Sequence, residues 1–404
     1  MRIVIVGAGI GGITAALALK RLGFDQVTLI EQAPAIRAVG AGIQLSANCV
    51  RLLRRLGLGD ALTRVSVRPS AHIFRDWKTG EVLLHTALGP KAEAAFGDSY
   101  FHAHRADLLA ALLEKLDASS VRLGCRLVGF SEEADRVRLK VEPGGTIKAD
   151  VLIGADGIHS TVRQALFGAD RPRFAGNVAW RALVPAERVA HLGLDKVAEV
   201  WMGPNRSLVR YYVSAGRLLN WIGITRAKEG EIESWSAKGI VADALDLWGD
   251  WHPIVRGMIE ATPSDGLFRM GLYDRDPLHA WTGGRVAILG DAAHPMLPFH
   301  AQGAAQSIED AWVLAGSLAE NPADPPAALA AFAARRIERA NWVQAYSREM
   351  EEFVHQADPA RIEYRNARLR ERLKKYEGEF PPGQVKLYSF DADSVFPAPP
   401  QAVA

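Results

Sequence analysis

An α/β fold containing two unlike sheets is predicted by three observations. The chain opens with a β-branched run, a glycine-rich turn and a helical repeat, which together read as a strand–helix–strand unit. From about residue 172 to 278 the texture changes to short strand-like runs rich in aromatics. After Arg285 the α/β texture returns and passes into an Ala-, Arg- and Glu-rich helical segment. A parallel sheet flanked by helices fits the two ends of the chain, and a mostly antiparallel sheet fits its middle.

Each element has its reason. Ile3–Val6 reads as a central parallel strand, buried on both faces. A helix over Ile13–Leu22 follows the glycine turn and is closed by Gly23, and Val27–Ile30 is the next strand. Leu45–Leu62 carries Leu52, Leu53, Leu56 and Leu62 as a helical stripe, and Arg105–Leu116 is a second amphipathic helix. Val121–Leu127 and Val137–Val141 are strand-like, and Val151–Gly154 is a buried strand running into Gly-Ala-Asp-Gly. In the middle, Val178–Val184, Ala198–Met202, Leu208–Val213 and Leu218–Thr225 read as strands. The last two are joined by the hairpin Ser214-Ala215-Gly216-Arg217, and Ile240–Trp248 is a helix layered on them. Val286–Leu289 is a strand, a long helix starts at Ala304, and helix continues to about Tyr376. The end, with Pro397, Pro399 and Pro400, is expected to fray.

Composition narrows the classes. A chain of 404 residues with 49% apolar and 23% charged residues can bury a large core and is not disordered. Its 48 Lys+Arg against 46 Asp+Glu give no electrostatic case for nucleic acid. Cys49 and Cys125 are too few for a disulfide framework or a cysteine zinc site and read as buried thiols in a reducing compartment. The amino terminus is broken by four glycines and runs on into a second strand, which argues against a signal peptide. No window offers ~18 uninterrupted apolar residues, so no membrane span is expected and the protein is placed in the cytoplasm. His102 and His104 share a strand face without a carboxylate at matching spacing, so no metal is expected.

Three motifs carry chemistry. Gly7-x-Gly9-x-x-Gly12 lies between a strand and a helix, and Glu31 ends the next strand, 19 residues after Gly12. Gly7 permits the tight turn, Gly9 lets a pyrophosphate approach the backbone, and Gly12 lets helix and strand pack closely. An acid at position 31 suits a ribose hydroxyl and disfavours a 2′-phosphate, so FAD or NAD fits and NADP does not. The second motif is Gly154-Ala155-Asp156-Gly157-Ile158-His159-Ser160, with Arg163. The third is Gly290-Asp291-Ala292-Ala293-His294-Pro295, with Pro298, and Gln302-Gly303 then opens a helix.

Together with Gly40-Ala41-Gly42-Ile43-Gln44 and His104-Arg105-Ala106-Asp107-Leu108, these segments resemble the class A flavin-dependent aromatic hydroxylases over roughly residues 1–355. The salicylate hydroxylase and 6-hydroxynicotinate 3-monooxygenase branch is the most similar. The resemblance implies a Rossmann-like (GR2-type) FAD-binding domain over 1–70, 100–171 and 279–350. It also implies a mostly antiparallel β-sheet substrate domain over 71–99 and 172–278, with C-terminal helices and a tail over 351–404. The adenosine half of FAD would lie at Gly7, Gly9, Gly12, Glu31 and Gln32. Arg105 and Gly42 would lie on the flavin side, and Asp156 near the pyrophosphate, where the nicotinamide donor is admitted. Asp291 would accept a ribityl hydroxyl, and the helix at Gly303 and Ala304 would aim its N-terminus at the flavin C2 carbonyl and N1.

The reaction so implied uses NADH or NADPH to reduce FAD. Oxygen adds to give a C4a-hydroperoxyflavin, and its distal oxygen passes to a small phenolic or N-heteroaromatic acid, salicylate-like. The partners are that acid and O2, with neither nucleic acid nor membrane, and the chain acts as a monomer or homodimer. His300 is the first candidate for the base that raises the nucleophilicity of a phenol. Gln44 stands where some relatives have histidine and would bond the substrate. Tyr211 is a pocket candidate. Arg210 could pair with a substrate carboxylate, although alternation puts only one of Arg210 and Tyr211 on the inward face. Tyr212, Trp221 and Pro298 are further substrate contacts, in an aromatic-lined sheet that also carries Trp201. Two other readings stay open: an FAD-dependent epoxidase of an isoprenoid or quinone-like substrate, and a dinucleotide-binding sensor without turnover.

Overall fold

Strand Arg2–Val6 is the centre of a six-stranded sheet. Gln26–Ile30 and Val151–Gly154 pair with it in parallel, with Ile3 opposite both Val27 and Val151. Val121–Arg122 extends the sheet beyond Gln26–Ile30, and Val286–Ile288 extends it beyond Val151–Gly154. Thr282–Gly283 closes the latter edge in the one antiparallel pairing. Helices Ile10–Arg21 and Gly303–Glu320 share the core of this sheet with the antiparallel strands Arg126–Glu132, Val137–Glu142 and Gly145–Ala149. The computed structural model describes residues 1–36, 41–227, 237–375 and 379–397. Gly40, Tyr376, Pro399 and Pro400 of the sequence reading lie outside them.

Two expected elements divide at glycines. The stretch expected as one helix over Leu45–Leu62 is a strand, Gly42–Leu45, followed by helices Ala47–Arg55 and Gly59–Val65. Gly57 adopts φ +78°, a conformation that ends a helix. The expected strand Val121–Leu127 is likewise broken at Gly124, with φ +61°, so its halves belong to different sheets. Among the described residues, the carboxy-terminal helical region is three helices, Pro325–Val354, Pro359–Lys375 and Pro382–Tyr388. Each opens on a proline, whose missing N–H costs nothing in a first turn.

Among the described residues, the second sheet has eight strands. From one edge they are Ala237–Lys238, Leu267–Asp274, Arg173–Pro185, Leu218–Arg226, Arg206–Val213, Ala198–Gly203, Ala71–Asp76 and Val82–Ala87. All neighbours are antiparallel except Ala198–Gly203 with Ala71–Asp76. One face packs against helices Val241–Trp248 and Pro253–Glu260 through Trp180, Trp201, Trp221, Trp248 and Trp251. Burying each such side chain stabilises the fold by roughly 1.5–3 kcal/mol or more. Gly223 makes room, because a Cβ there would stand 2.6 Å from the Trp248 ring. The opposite face looks into the interior of the protein, and the site is built there.

A buried ionic cluster fixes helix Gly303–Glu320 against Pro325–Val354. Arg336, fully buried, donates to Glu309 at 2.7 Å and to Asp310 at 2.8 Å, while His294 Nε2 lies 2.6 Å from Asp310. Despite burial, Arg339 and Arg336 hold Glu309 below its ordinary range, and His294 and Arg336 do the same for Asp310.

Candidate active site

The first functional feature is the turn after strand Arg2–Val6. Gly7 has φ +103°, and a Cβ on Gly12 would stand 2.0 Å from the Gly7 carbonyl oxygen, so neither position tolerates a side chain. Gly9, in contrast, faces open space. Glu31 ties the next strand to this turn, because its carboxylate accepts from the N–H groups of Ala8 and Ala33, both at 2.9 Å. The turn opens on a cavity of about 1570 Å³ that runs from Gly7 and Gln32 to the inner face of the second sheet.

Along the middle of the cavity lie Gly42, Arg105, Asp156 and Asp291, and Gly303 and Ala304 present the first turn of their helix. Among the described residues Arg105 has no carboxylate partner, which leaves its guanidinium available. Asp156 is engaged: it accepts from Ser160, the N-cap of helix Thr161–Phe167, and from the backbone N–H groups of Thr161 and Val162 in its first turn. Burial raises its pKa above the ordinary carboxylate value. Asp291 is exposed to the cavity, close to Gly303, where a Cβ would lie 4.0 Å from its Oδ1.

At the far end the wall is the sheet face, closed by the loop Pro298–His300. Gly42 N–H donates to Asn220 Oδ1 at 2.8 Å. The Tyr211 hydroxyl takes a hydrogen bond from Gln44, whose Oε1 accepts from Tyr100 at 2.7 Å, and Tyr100 bonds in turn to Tyr388. Burial pushes the pKa of the Tyr211 phenol up, so it stays protonated. His300 stacks on Tyr346 with ring centroids 3.9 Å apart, and its Nε2 is enclosed without a partner. Burial lowers its pKa to about 3, and that of His72 in the same wall to about 4. Both rings are neutral at physiological pH.

Three expected substrate contacts do not reach the cavity. In strand Arg206–Val213, Ser207, Val209 and Tyr211 point into it, and alternation sends Leu208, Arg210 and Tyr212 to the other face. Arg210 is 2% exposed there, donating to Glu199 Oε2 at 2.9 Å and to the Asp195 carbonyl at 2.6 Å. Tyr212, Trp221 and Trp201 belong to the apolar core behind the sheet, so they cannot hold a ring in the cavity. Of the aromatic wall expected on this sheet, Tyr211 alone of those named faces inward.

A cation does reach the cavity, from a different strand. Arg181 lies in a row with Ile222 and Val209 across three strands, all facing inward. Its Nε is enclosed with no hydrogen-bond acceptor, and among the described residues it has no carboxylate partner. Burial and the nearby Arg105 lower its pKa. The sequence carried a signal for it, since Arg181 is the one charge in the run Val178–Val184. His72 and Tyr100 were also missed, and neither stands in a recognisable pattern.

The sequence pattern of the FAD binding domain matches residues 1–345. The chain belongs to this family. It is 38% identical over 396 residues to a 3-amino-4-hydroxybenzoate 2-monooxygenase of Streptomyces platensis, covering 98% of this chain and 97% of that one. A 6-hydroxynicotinate 3-monooxygenase of Bordetella bronchiseptica is 37% identical over 354 residues, covering 86% and 91%. The crystal structure of Klebsiella pneumoniae HpxO with FAD and uric acid superposes with a TM-score of 0.85 at 28% identity, covering 98% and 96%. The protein is an FAD-dependent monooxygenase, and the expected GR2-type fold holds.

The cavity of this member suits the cofactor. The bare backbone at Gly9, the glycine contact between Gly7 and Gly12 and the helix start at Gly303 offer close backbone approach at two separated places. Between them lies a volume larger than the roughly 300–1,000 Å³ typical of a single small-ligand pocket. Among the described residues, no helix is long and apolar enough to cross a membrane.

Proposed function

We propose that the protein hydroxylates a monocyclic phenolic or N-heteroaromatic acid, with NADH or NADPH and O2 as co-substrates. The observation that carries this reading is Arg181, a cation facing the sheet-walled end of the cavity without a counter-charge. A partly buried guanidinium whose Nε is shut off from water and has no anion is costly, and a substrate carboxylate offsets that cost. An isoprenoid or quinone-like substrate would leave it unpaired.

FAD, when bound, supplies the redox chemistry and the activated oxygen. Gly7, Gly9, Gly12, Glu31 and Gln32 would hold its adenosine half. Gly42, Arg105, Asp291, Gly303 and Ala304 would hold the flavin half, with Asp156 between. The chain's own residues then do four things. Arg181 takes the carboxylate. Tyr211, fixed by Gln44 and by the absence of a side chain at Gly42, donates its hydroxyl proton to an oxygen of the ring substituent. His300 offers Nε2 as acceptor to the substrate hydroxyl once a small shift of the Pro298–His300 loop uncovers that atom, and the negative charge of a bound acid raises its basicity toward proton uptake. Val200, Val209, Ile222 and Ile224, with Pro298 at the loop, exclude water from the reacting centre.

The same reading assigns 1–70, 100–171 and 279–350 to cofactor binding, and 71–99 and 172–278 to the substrate. It also places the protein in a reducing cytoplasm, in keeping with free buried Cys49 and Cys125. Purified holoprotein mixed with NADH and a panel of salicylate, 3-hydroxybenzoate, 6-hydroxynicotinate and 3-amino-4-hydroxybenzoate tests it. At least one acid should accelerate NADH oxidation and appear as a hydroxylated product. A panel without effect on either would overturn the reading.

A further inference from the structure

Helix Pro359–Lys375 encloses a second cleft, of about 960 Å³, against the end of helix Pro325–Val354 and the segment around Phe380. It adjoins the main cavity, since Phe353, Leu369 and Arg372 line both spaces. Its charge is one-sided. Among the described residues, Arg361, Arg365, Arg368 and Arg372 line it against Glu371 and Glu379.

The arginines of the cleft differ from their neighbour Arg370 on the same helix. Arg370 is paired with Glu81 and Glu363 at 2.8 and 3.0 Å, as expected of a solvated helix face. Among the described residues, Arg361, Arg365, Arg368 and Arg372 have no carboxylate partner. Arg365 is the most constrained, at 4% exposure. It donates through Nη1 to the carbonyls of Phe353 and Val354 and through Nε to Asn366, while Nη2 has no acceptor. Burial lowers its pKa to about 10. The Asp76 carboxylate acts on it only from beyond ion-pair distance, and a guanidinium kept from water without a bonded anion destabilises the fold unless something else compensates. Phe353, Tyr364 and Phe380 add aromatic surface, so the cleft combines flat apolar contacts with unpaired positive charge.

We infer that this cleft is a capture vestibule for the aromatic acid, which it draws in by the carboxylate and passes along the Phe353, Leu369 and Arg372 wall to the main cavity. The inference rests on the function proposed above. A cleft lined by one sign of charge focuses its field and raises encounter rates by about 10- to 1,000-fold, with strong dependence on ionic strength. The vestibule thus acts on association, while Arg181 acts on the bound state.

The test uses FAD-loaded holoenzyme and the double variant R361Q/R368Q, in which both altered side chains are exposed. Unchanged flavin absorbance and melting temperature establish that the variant is intact. The probes are salicylate, 3-hydroxybenzoate and 6-hydroxynicotinate with their neutral carboxamides, followed by stopped-flow perturbation of the flavin spectrum at low and high ionic strength. The variant should associate with the acids roughly five- to tenfold more slowly at low salt, with a flatter salt dependence, while carboxamide association stays as in the parent. Equal slowing of acids and carboxamides, or no slowing of either, overturns the vestibule alone. Slower flavin reduction by NADH with acid association unchanged assigns the cleft to the dinucleotide phosphates and also overturns it. If the unsubstituted holoenzyme binds none of the acids, the proposed function fails and takes the vestibule with it.

Discussion

Gly42 and Tyr211 occupy one space: a Cβ at position 42 would stand 2.6 Å from Tyr211 Cε2 and 2.8 Å from its hydroxyl oxygen. The two strands can carry the tyrosine to this depth only because residue 42 has no side chain. Gly42→Ala should therefore displace the Tyr211 ring and lower the rate of product formation by roughly 10- to 100-fold, as misplacement of about 1 Å does. NADH should still be consumed, so the ratio of product to NADH is the measurement. A variant that keeps full coupling would show that the tyrosine position is not critical.

Arg181 and Arg210 make a contrasting pair. Arg181→Gln should weaken binding of an aromatic acid by roughly 30- to 150-fold, the loss of a charge-assisted bond worth about 2–3 kcal/mol, with little change in melting temperature. Arg210→Gln should do the reverse. It leaves Glu199 buried with Arg75 as its remaining partner, at 2.8 Å, and should cost about 3 kcal/mol of stability with acid affinity largely kept. Acid titration and thermal unfolding of both variants decide the assignment, and an exchange of the two phenotypes would refute it.

The nucleotide turn gives a visual test. Gly12→Val forces a branched side chain against the Gly7 carbonyl, already 2.0 Å from an ideal Cβ. The purified variant should be colourless or nearly so and should take up little added FAD. Retention of a full complement of flavin would place the cofactor elsewhere.

Acid sensitivity follows from two half-buried imidazoles in the cavity wall. His300 and His72 titrate near 3 and 4 in the folded protein, against about 6.5 for a free histidine. Between those values the unfolded chain binds more protons, so stability is fully present above about pH 6.5 and falls as pH drops toward 4. His300→Gln should flatten the decline in melting temperature over that window. An unchanged slope would mean that His300 is protonated readily when folded.

The glycine motif and Glu31 were legible because their demands are local: a turn, a close helix, and an acid ending the next strand. Elements failed where single residues override a pattern, as Gly57 does within the leucine stripe and Gly124 does within an apolar run. Strand Ala71–Asp76 went unread because His72, Arg75 and Asp76 obscure its alternation. The site was least legible on the second sheet. Sequence shows that Arg210 and Tyr211 face opposite ways, but which way is inward depends on where helices Val241–Trp248 and Pro253–Glu260 settle. That choice put Tyr211 inside and Arg210, Tyr212 and Trp221 outside.

The division of the second sheet into an indole-packed back and a cavity-facing front also bears on how such a protein can diversify. Exchanges at Val200, Val209, Ile222 or Ile224 alter the shape offered to a guest, while the tryptophans behind continue to carry the fold. Selectivity and robustness are thus entrusted to alternate positions of the same strands, which lets a lineage explore new guests without first acquiring surplus stability.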